Sequence, residues 1–378
     1  MKITTHNNAD TPGLVRFDAD LDGERIELEF RSDDIELVAR PEAAVAAFLL
    51  LAMSHGEDIE VDQPLDPRFV MNLESILDTY ACWSPLMKRI RVRSDVSDAR
   101  PVRTNHREQV TATFCSGGVD SAYTLVKQMD RIDRLVFIHG FDVPLANETG
   151  RRRASDGLHR LAAACGKELI EVETNLRDVI RLKRPTPRLG AWEFSHGSAL
   201  AAIAHVISGT IDRIYVPATI SYPRLNSWGS HPVLDPLWSS HDIDLIHDGC
   251  EAPRFEKCTL VAQHPEIVEN IRVCWKADMG EYNCGECEKC VRTMVAFAAL
   301  GALDGNGPFA TALTPRLLRS TDLRRRGYEK YYWLAYPDLR RRRPDLARGL
   351  LYMLAASRVR RAARTFRNRL VHRTGRVE

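Results

Sequence analysis

The 378-residue chain has no long hydrophobic run. Its longest uninterrupted apolar stretch, Ala43 to Met53, spans eleven residues, little more than half of the roughly twenty that a membrane-crossing helix needs. No membrane span is expected. The opening residues, Met1 to Gly13, lack both an apolar segment behind a charged start and a small-residue cleavage site, so the expectation is a cytoplasmic protein. There is no fixed-period repeat and no low-complexity tract outside an arginine-rich final stretch. Cysteine is too sparse and too unevenly placed for a disulfide framework. Of nine cysteines, an odd number, four crowd between Cys274 and Cys290, a pattern that suits metal ligation in a reducing compartment.

Net charge is also small, +2, but it conceals an asymmetry. From Thr311 to Glu378 nineteen Lys and Arg face five Asp and Glu, a net of +14, which leaves −12 for residues 1–310. With 44% hydrophobic and 28% charged residues, the composition excludes a disordered, collagen-like or coiled-coil chain. The length allows one large domain or two to three ordinary ones.

Over residues 1–105, strand-like runs (Leu14 to Phe17, Arg25 to Phe30, Ile90 to Val92) alternate with two stretches of helical apolar period, Pro41 to Met53 and Asp66 to Tyr80. This predicts a small α+β domain. The polar segment Ser94 to Glu108, containing Pro101, reads as a linker. From Val110 the pattern becomes strand then helix: strands at Val110 to Cys115, Arg134 to His139, Glu168 to Val172 and Ile211 to Pro217, with helices at Ser121 to Met129, Arg151 to Cys165 and Ser198 to Ser208. Such alternation predicts an α/β domain over residues 106–305, built on a parallel sheet with helices on both faces. Ligands then belong at the carboxyl ends of the strands. Residues 306–378 are expected to form a basic helical tail.

The sharpest local signal is Ser116-Gly117-Gly118-Val119-Asp120-Ser121, which follows the first strand of the α/β region and opens a helix. Two adjacent glycines allow a tight turn and close backbone approach to a ligand, and a helix N-terminus favours an anion. No lysine follows the glycines, so this is not a Walker loop. The motif resembles that of the PP-loop ATP pyrophosphatases, whose α/β fold is HUP-like. The resemblance implies cleavage of ATP between its α and β phosphates with Mg²⁺, transfer of AMP to a substrate oxygen, and release of pyrophosphate. Ser116, Gly117, Gly118, Val119, Asp120 and Ser121 would then hold the pyrophosphate end, with Asp120 among the catalytic groups. The resemblance further places Phe141 and Asp142, after the strand Arg134 to His139, at the adenine and ribose. His196 and Gly197, opening the alanine-rich helix, would face the nucleotide.

Cys274, Cys284, Cys287 and Cys290 offer four thiolates in seventeen residues. Zn²⁺ takes four such ligands tetrahedrally at about 2.3 Å, and Gly285 permits the knuckle that aims two sulfurs inward. A closed four-sulfur site is expected to be structural; an iron–sulfur cluster or a redox pair are the alternatives. The phosphate loop followed by this cluster, ending Cys290-Val291-Arg292, resembles the 7-cyano-7-deazaguanine synthase branch over about residues 110–300. Those enzymes convert a deazapurine carboxylate to a nitrile with ammonia and ATP. The resemblance matches Lys257 to their phosphate-neutralising lysine, a catalytic assignment here. It breaks after the fourth strand: where the synthases carry Tyr-x-Asp-Cys-Arg, this chain reads from Ser221 through Trp228, His231 and Asp235 to Pro236.

In that divergent loop, His231 and Asp235 are candidates for general base or acceptor orientation, since His titrates near neutrality, or for loop hydrogen bonding. Trp228 is a candidate stacking surface. Cys250 and Cys258 are candidates for sulfur transfer or, as small apolar residues, for burial; Cys115 reads as packing. The functional expectation is an ATP-dependent, AMP-forming ligase that makes C–N bonds. It adenylates a carboxylate or carbonyl oxygen of a small-molecule acceptor for attack by ammonia or an amine. The alternatives are a tRNA-modifying enzyme of the same superfamily and a nucleotide-binding regulatory module. In the tail, arginines interleave with Tyr331, Tyr332, Trp333 and Tyr336, which suits nucleic acid. Leu346, Leu350, Leu351 and Leu354 recur at helical spacing there and equally suit a packed helix. A second copy of the chain, as a homodimer, is the other candidate partner.

Overall fold

The computed structural model describes residues 1–6, 11–95, 108–185, 192–274, 281–303, 305–323 and 327–374, with side chains to 365. It divides into two compact units, Met1–Pro253 and Arg254–Glu378.

Among the described residues, the first unit is built on one mixed sheet of ten strands. In chain order these are β1 (Lys2–His6), β2 (Leu14–Leu21), β3 (Glu24–Arg31), β4 (Ile59–Val61), β5 (Val92–Arg93), β6 (Thr111–Phe114), β7 (Arg134–His139), β8 (Glu168–Thr174), β9 (Arg213–Pro217) and β10 (Asp244–Asp248). Across the sheet they run β10-β9-β6-β7-β8-β3-β2-β1-β4-β5. The five strands β6 to β10 are mutually parallel, and β8-β3-β2-β1 continue antiparallel. Helices α1 (Pro41–His55), α2 (Pro67–Trp83), α3 (Val119–Lys127), α4 (Glu148–Ala164), α5 (Leu176–Lys183) and α6 (Trp192–Val206) belong to this unit. The parallel sheet is the predicted one; β1, β4, β10 and α5 were not legible.

The division of the chain is not the expected one at 105/106 and 305/306. The first hundred residues join the sheet of the region that follows: β3 pairs with β8 at Phe30 and Thr174, and the Glu29 amide donates to Asn175 at 3.0 Å. Helix α1 is buried on every side and lies against α6. Ala43, Ala44, Ala46 and Ala47 on one helix and Ala199, Ala201, Ala202 and Ala204 on the other are all buried. Small side chains let two backbones approach, and a helix apolar all round is stable only when covered. Asp66, expected as the first residue of α2, is instead its cap: its carboxylate accepts from the Arg68 and Phe69 amides ahead of Pro67. Of the expected linker, residues 96–107 lie outside the described residues.

His205 on α6 shows how this core responds to acid. Its Nε2–H donates to the Trp238 carbonyl at 2.9 Å and its ring meets Phe69 edge-on. Burial lowers its pKa from the usual value to about 4. The unfolded chain binds a proton near pH 6.5, so the neutral, buried form favours folding above that pH. As pH falls from about 6.5 towards 4, this residue removes about 3 kcal/mol of stability. Thermal melts over that window should therefore fall more steeply for the native chain than for His205→Gln. Parallel profiles would assign the acid sensitivity elsewhere.

The second unit is helical: α7 (Arg254–Val261), α8 (Pro265–Val268), α9 (Glu288–Leu300), α10 (Pro315–Ser320), α11 (Glu329–Arg342) and α12 (Pro344–Thr374). The tail is not a free extension. Helix α11 packs on α9, and α12 on α10 and α11, with Leu346, Leu350 and Leu354 buried. Leu351, expected on the same stripe, faces out at 38% exposure.

Candidate functional site

Strand β6 is flanked by β7 and β9, so the strand order reverses at it, and the crevice beyond its carboxyl end is where α/β sheets take ligands. The loop that leaves β6 there is Cys115 to Gly118. Gly117 has φ +77°, a conformation that disfavours any side chain. Gly118 is the N-cap of α3 and supplies no side-chain cap. The Ser121 hydroxyl donates to the Gly118 carbonyl at 3.0 Å, which closes the turn. Ser116, Gly118 and Asp120 are half-buried; Gly117, Val119 and Ser121 are buried. The positive end of a nine-residue helix favours an anion beside this loop, and within the loop the Gly118 amide donates to Ser116 Oγ at 3.4 Å. Cys115 packs beneath it, its thiol pushed up to about 11 by burial.

Helix α3 then fastens the end of β10. Thr124 Oγ1 donates to Asp248 Oδ2 at 2.9 Å, and Lys127 and Gln128 reach Asp248 Oδ1. Tyr123 Oη donates to Glu251 at 2.8 Å.

His196 and Gly197 do not open α6; they lie in its second turn. Burial holds His196 below its usual pKa. Nδ1–H donates to the Trp192 carbonyl at 3.0 Å and Nε2 accepts from the Ser230 amide at 3.3 Å. Trp228, half-buried, packs edge-on against the same ring at 5.5 Å. Gly197 is required by close approach, since a Cβ there would lie 1.9 Å from the Gly229 carbonyl oxygen. Gly197→Ala should cost about 1–3 kcal/mol through backbone displacement, read as a lowered urea midpoint; an unchanged midpoint would mean that the 221–233 loop yields freely.

The structure brings His231 and Asp235 together and adds His247, which sequence reasoning missed because a lone histidine inside a strand carries no signal. Asp235, almost fully buried, accepts from Ser230 Oγ at 2.7 Å and from the His231 amide at 3.2 Å. His247 Nδ1 lies 2.6 Å from Asp235 Oδ2, and its Nε2 lies 3.1 Å from Cys250 Sγ. Burial and then His247 lower the pKa of His231 from the usual imidazole value, while its Nδ1 accepts from the Val233 amide. Phe141 is buried against Trp192 at 4.7 Å, Arg177 donates to its carbonyl, and Asp142 is exposed at the end of β7.

In the second unit, the sulfurs of Cys274, Cys284, Cys287 and Cys290 all lie within 4.8 Å of one another, each residue buried. Two pairs are 3.9 and 4.0 Å apart, close to the ~3.8 Å edge of a tetrahedron with 2.3 Å Zn–S bonds. The Cys287 amide donates to Cys284 Sγ at 3.3 Å, and Gly285 turns at φ +73° where a Cβ would strike Thr311. Contact with Cys274 pushes the Cys287 thiol up to about 11, and contact with Cys274 and Cys287 pushes Cys290 up as well. Four such sulfurs become thiolates together only around a cation. The cluster can hold a metal ion such as zinc. Buried Asn283 braces it: Oδ1 accepts from the Val273 and Cys274 amides, and Nδ2 donates to the Ile271 and Pro308 carbonyls. Lys257 is buried on α7 of this unit.

Arg292, two residues past the cluster, stacks on Tyr331 at 4.7 Å and Tyr328 at 5.3 Å. These tail aromatics serve packing. Several tail arginines are internally paired: Arg360 and Arg364 with Asp322, Arg361 with Glu329, Arg343 with Asp345. Residues 324–326 and 375–378 lie outside the described residues.

Fold and sites thus define a mixed α/β protein with a glycine loop at its sheet's switch point and a four-cysteine cluster that could hold a metal. No helix among the described residues is long and apolar enough to cross a membrane. Searches against protein families, curated proteins and solved structures returned no match.

Proposed function

We propose that this chain is a PP-loop ATP pyrophosphatase that adenylates a carboxylate or carbonyl oxygen of a small-molecule acceptor for attack by ammonia or an amine. The observation that carries the reading is the Ser116 to Ser121 loop at the carboxyl end of the strand where the sheet order reverses. The order β8-β7-β6-β9-β10 is the open, doubly wound arrangement that binds nucleotides beyond its switch point.

The loop amides and the Ser116 hydroxyl hold the terminal phosphates, while Asp142 lies at the end of the neighbouring strand for the ribose. Asp120, in the first turn of α3, would hold Mg²⁺, which would supply charge neutralisation for the pyrophosphate. Little covalent chemistry falls to the protein, so catalysis comes from positioning and from donors aimed at developing charge. Incubation with ATP, Mg²⁺ and a panel of carboxylic acids, including deazapurine carboxylates, tests the reading. AMP and pyrophosphate are expected; ADP and phosphate would overturn it.

A further inference from the structure

We propose that Cys250 is a covalent nucleophile, with His247 as its base and Asp235 as the positioning residue, and that it accepts the acyl group of an adenylated carboxylic acid. The thiol site stands on geometry alone; the acyl donor rests on the function proposed above.

The three groups form a line of nucleophile, base and orienting carboxylate. Asp235 Oδ2 lies 2.6 Å from His247 Nδ1, so it takes the Nδ1–H and leaves the Nε2 lone pair facing Cys250 Sγ at 3.1 Å. Asp235 is itself fixed by Ser230 and the His231 amide. At rest the single thiol proton is directed to the Ile220 carbonyl at 3.1 Å, so it must swing to Nε2, also 3.1 Å from the sulfur, as the base acts. All three residues are deeply buried at the side chain, where an ion-pair relay is not screened by water.

Placement points the same way. Cys250 leaves the carboxyl end of β10 through Gly249, whose φ of +100° turns the chain sharply after the strand. That is the sheet edge that carries the phosphate loop. The helix opened by that loop grips the residues on either side of the thiol, through Thr124 to Asp248 and Tyr123 to Glu251. A structural cysteine needs neither a histidine nor a carboxylate behind it.

In the step, Sγ attacks the acyl carbon of the adenylate. The S–C bond forms, the C–O bond breaks with its electron pair leaving on AMP, and the thiol proton passes to His247 Nε2. Ammonia or an amine then attacks the thioester. The C–N bond forms, the C–S bond breaks, His247 returns its proton to sulfur, and the nitrogen loses its extra proton to water. No oxidant or reductant is required.

The test is limited alkylation of the native protein with iodoacetamide, followed by peptide mass spectrometry. Exposed Cys82 serves as the internal reference. Cys250, 1% exposed at rest, should be labelled in the folded native chain more slowly than Cys82, and its rate should fall about tenfold or more in His247→Gln, with Cys82 unchanged. If His247→Gln folds poorly, Asp235→Asn, which preserves side-chain shape, is read the same way. Absence of label on Cys250 while Cys82 reacts, or an unchanged rate in a folded variant, would overturn the site. A reactive, His247-dependent Cys250 in a protein that forms no AMP would leave the thiol site standing and remove the acyl adenylate as its donor.

Discussion

Cys287→Ser is expected to strip the metal from the four-cysteine cluster and to destabilise the second unit by at least about 4 kcal/mol, a size associated with loss of a metal or of a buried network. Metal binding to a closed thiolate site is folding free energy, and Cys287 is placed to matter most. It is the N-cap of α9, it supplies one sulfur, and its amide donates to another. Its loss would also release the segment Ile271 to Cys274 that Asn283 ties to the knuckle. Elemental analysis should show the metal falling together with melting temperature, and a chelator should reproduce the effect in the native chain. A colourless protein is expected for zinc; visible absorption would indicate an iron–sulfur cluster. AMP release per folded molecule should hold steady. A folded, metal-free variant that is selectively inactive would make the cluster catalytic or redox-active.

The second large effect is on turnover. Gly117→Val is expected to reduce AMP formation by about a hundredfold or more, the scale of losing one preorganised donor to developing charge, while the melt moves only modestly. The reason lies in the backbone. At φ +77° a β-branched residue is strained, and relief would rotate the loop amides, yet the hydrophobic core below the loop is not altered. A variant that cleaves ATP at the native rate would remove the loop from the reaction.

The candidate site was legible where chemistry is written in a few adjacent residues. Ser116 to Ser121 and the four cysteines carry their geometry in their spacing, because a tight glycine turn and a sulfur knuckle are local constraints. The loop from Ser221 to Pro236 was legible only as a place. That Trp228 covers His196, that Asp235 faces inward to His247, and that Cys250 sits against an imidazole depend on contacts between α6, the loop and β10, residues brought together across a sheet. His196 and Gly197 were read as a helix start because glycine marks turns; the actual demand for glycine comes from the Gly229 carbonyl, more than thirty positions away in the chain.

By itself the sequence determined the alternation of strand and helix from Val110, the loop at its first crossover and the four-cysteine cluster, since hydrophobic period and short motifs act within one or two turns of chain. Tertiary structure alone decided that the first hundred residues join the same sheet, that α1 is buried against α6, and that the arginine-rich tail is packed on α9 by Arg292 and its tyrosines. The physical reason is that strand pairing and helix burial are chosen by whichever surface best covers the apolar area exposed. That partner can lie anywhere in the chain: β3 found β8 some 140 residues further on, a distance over which periodicity carries no information.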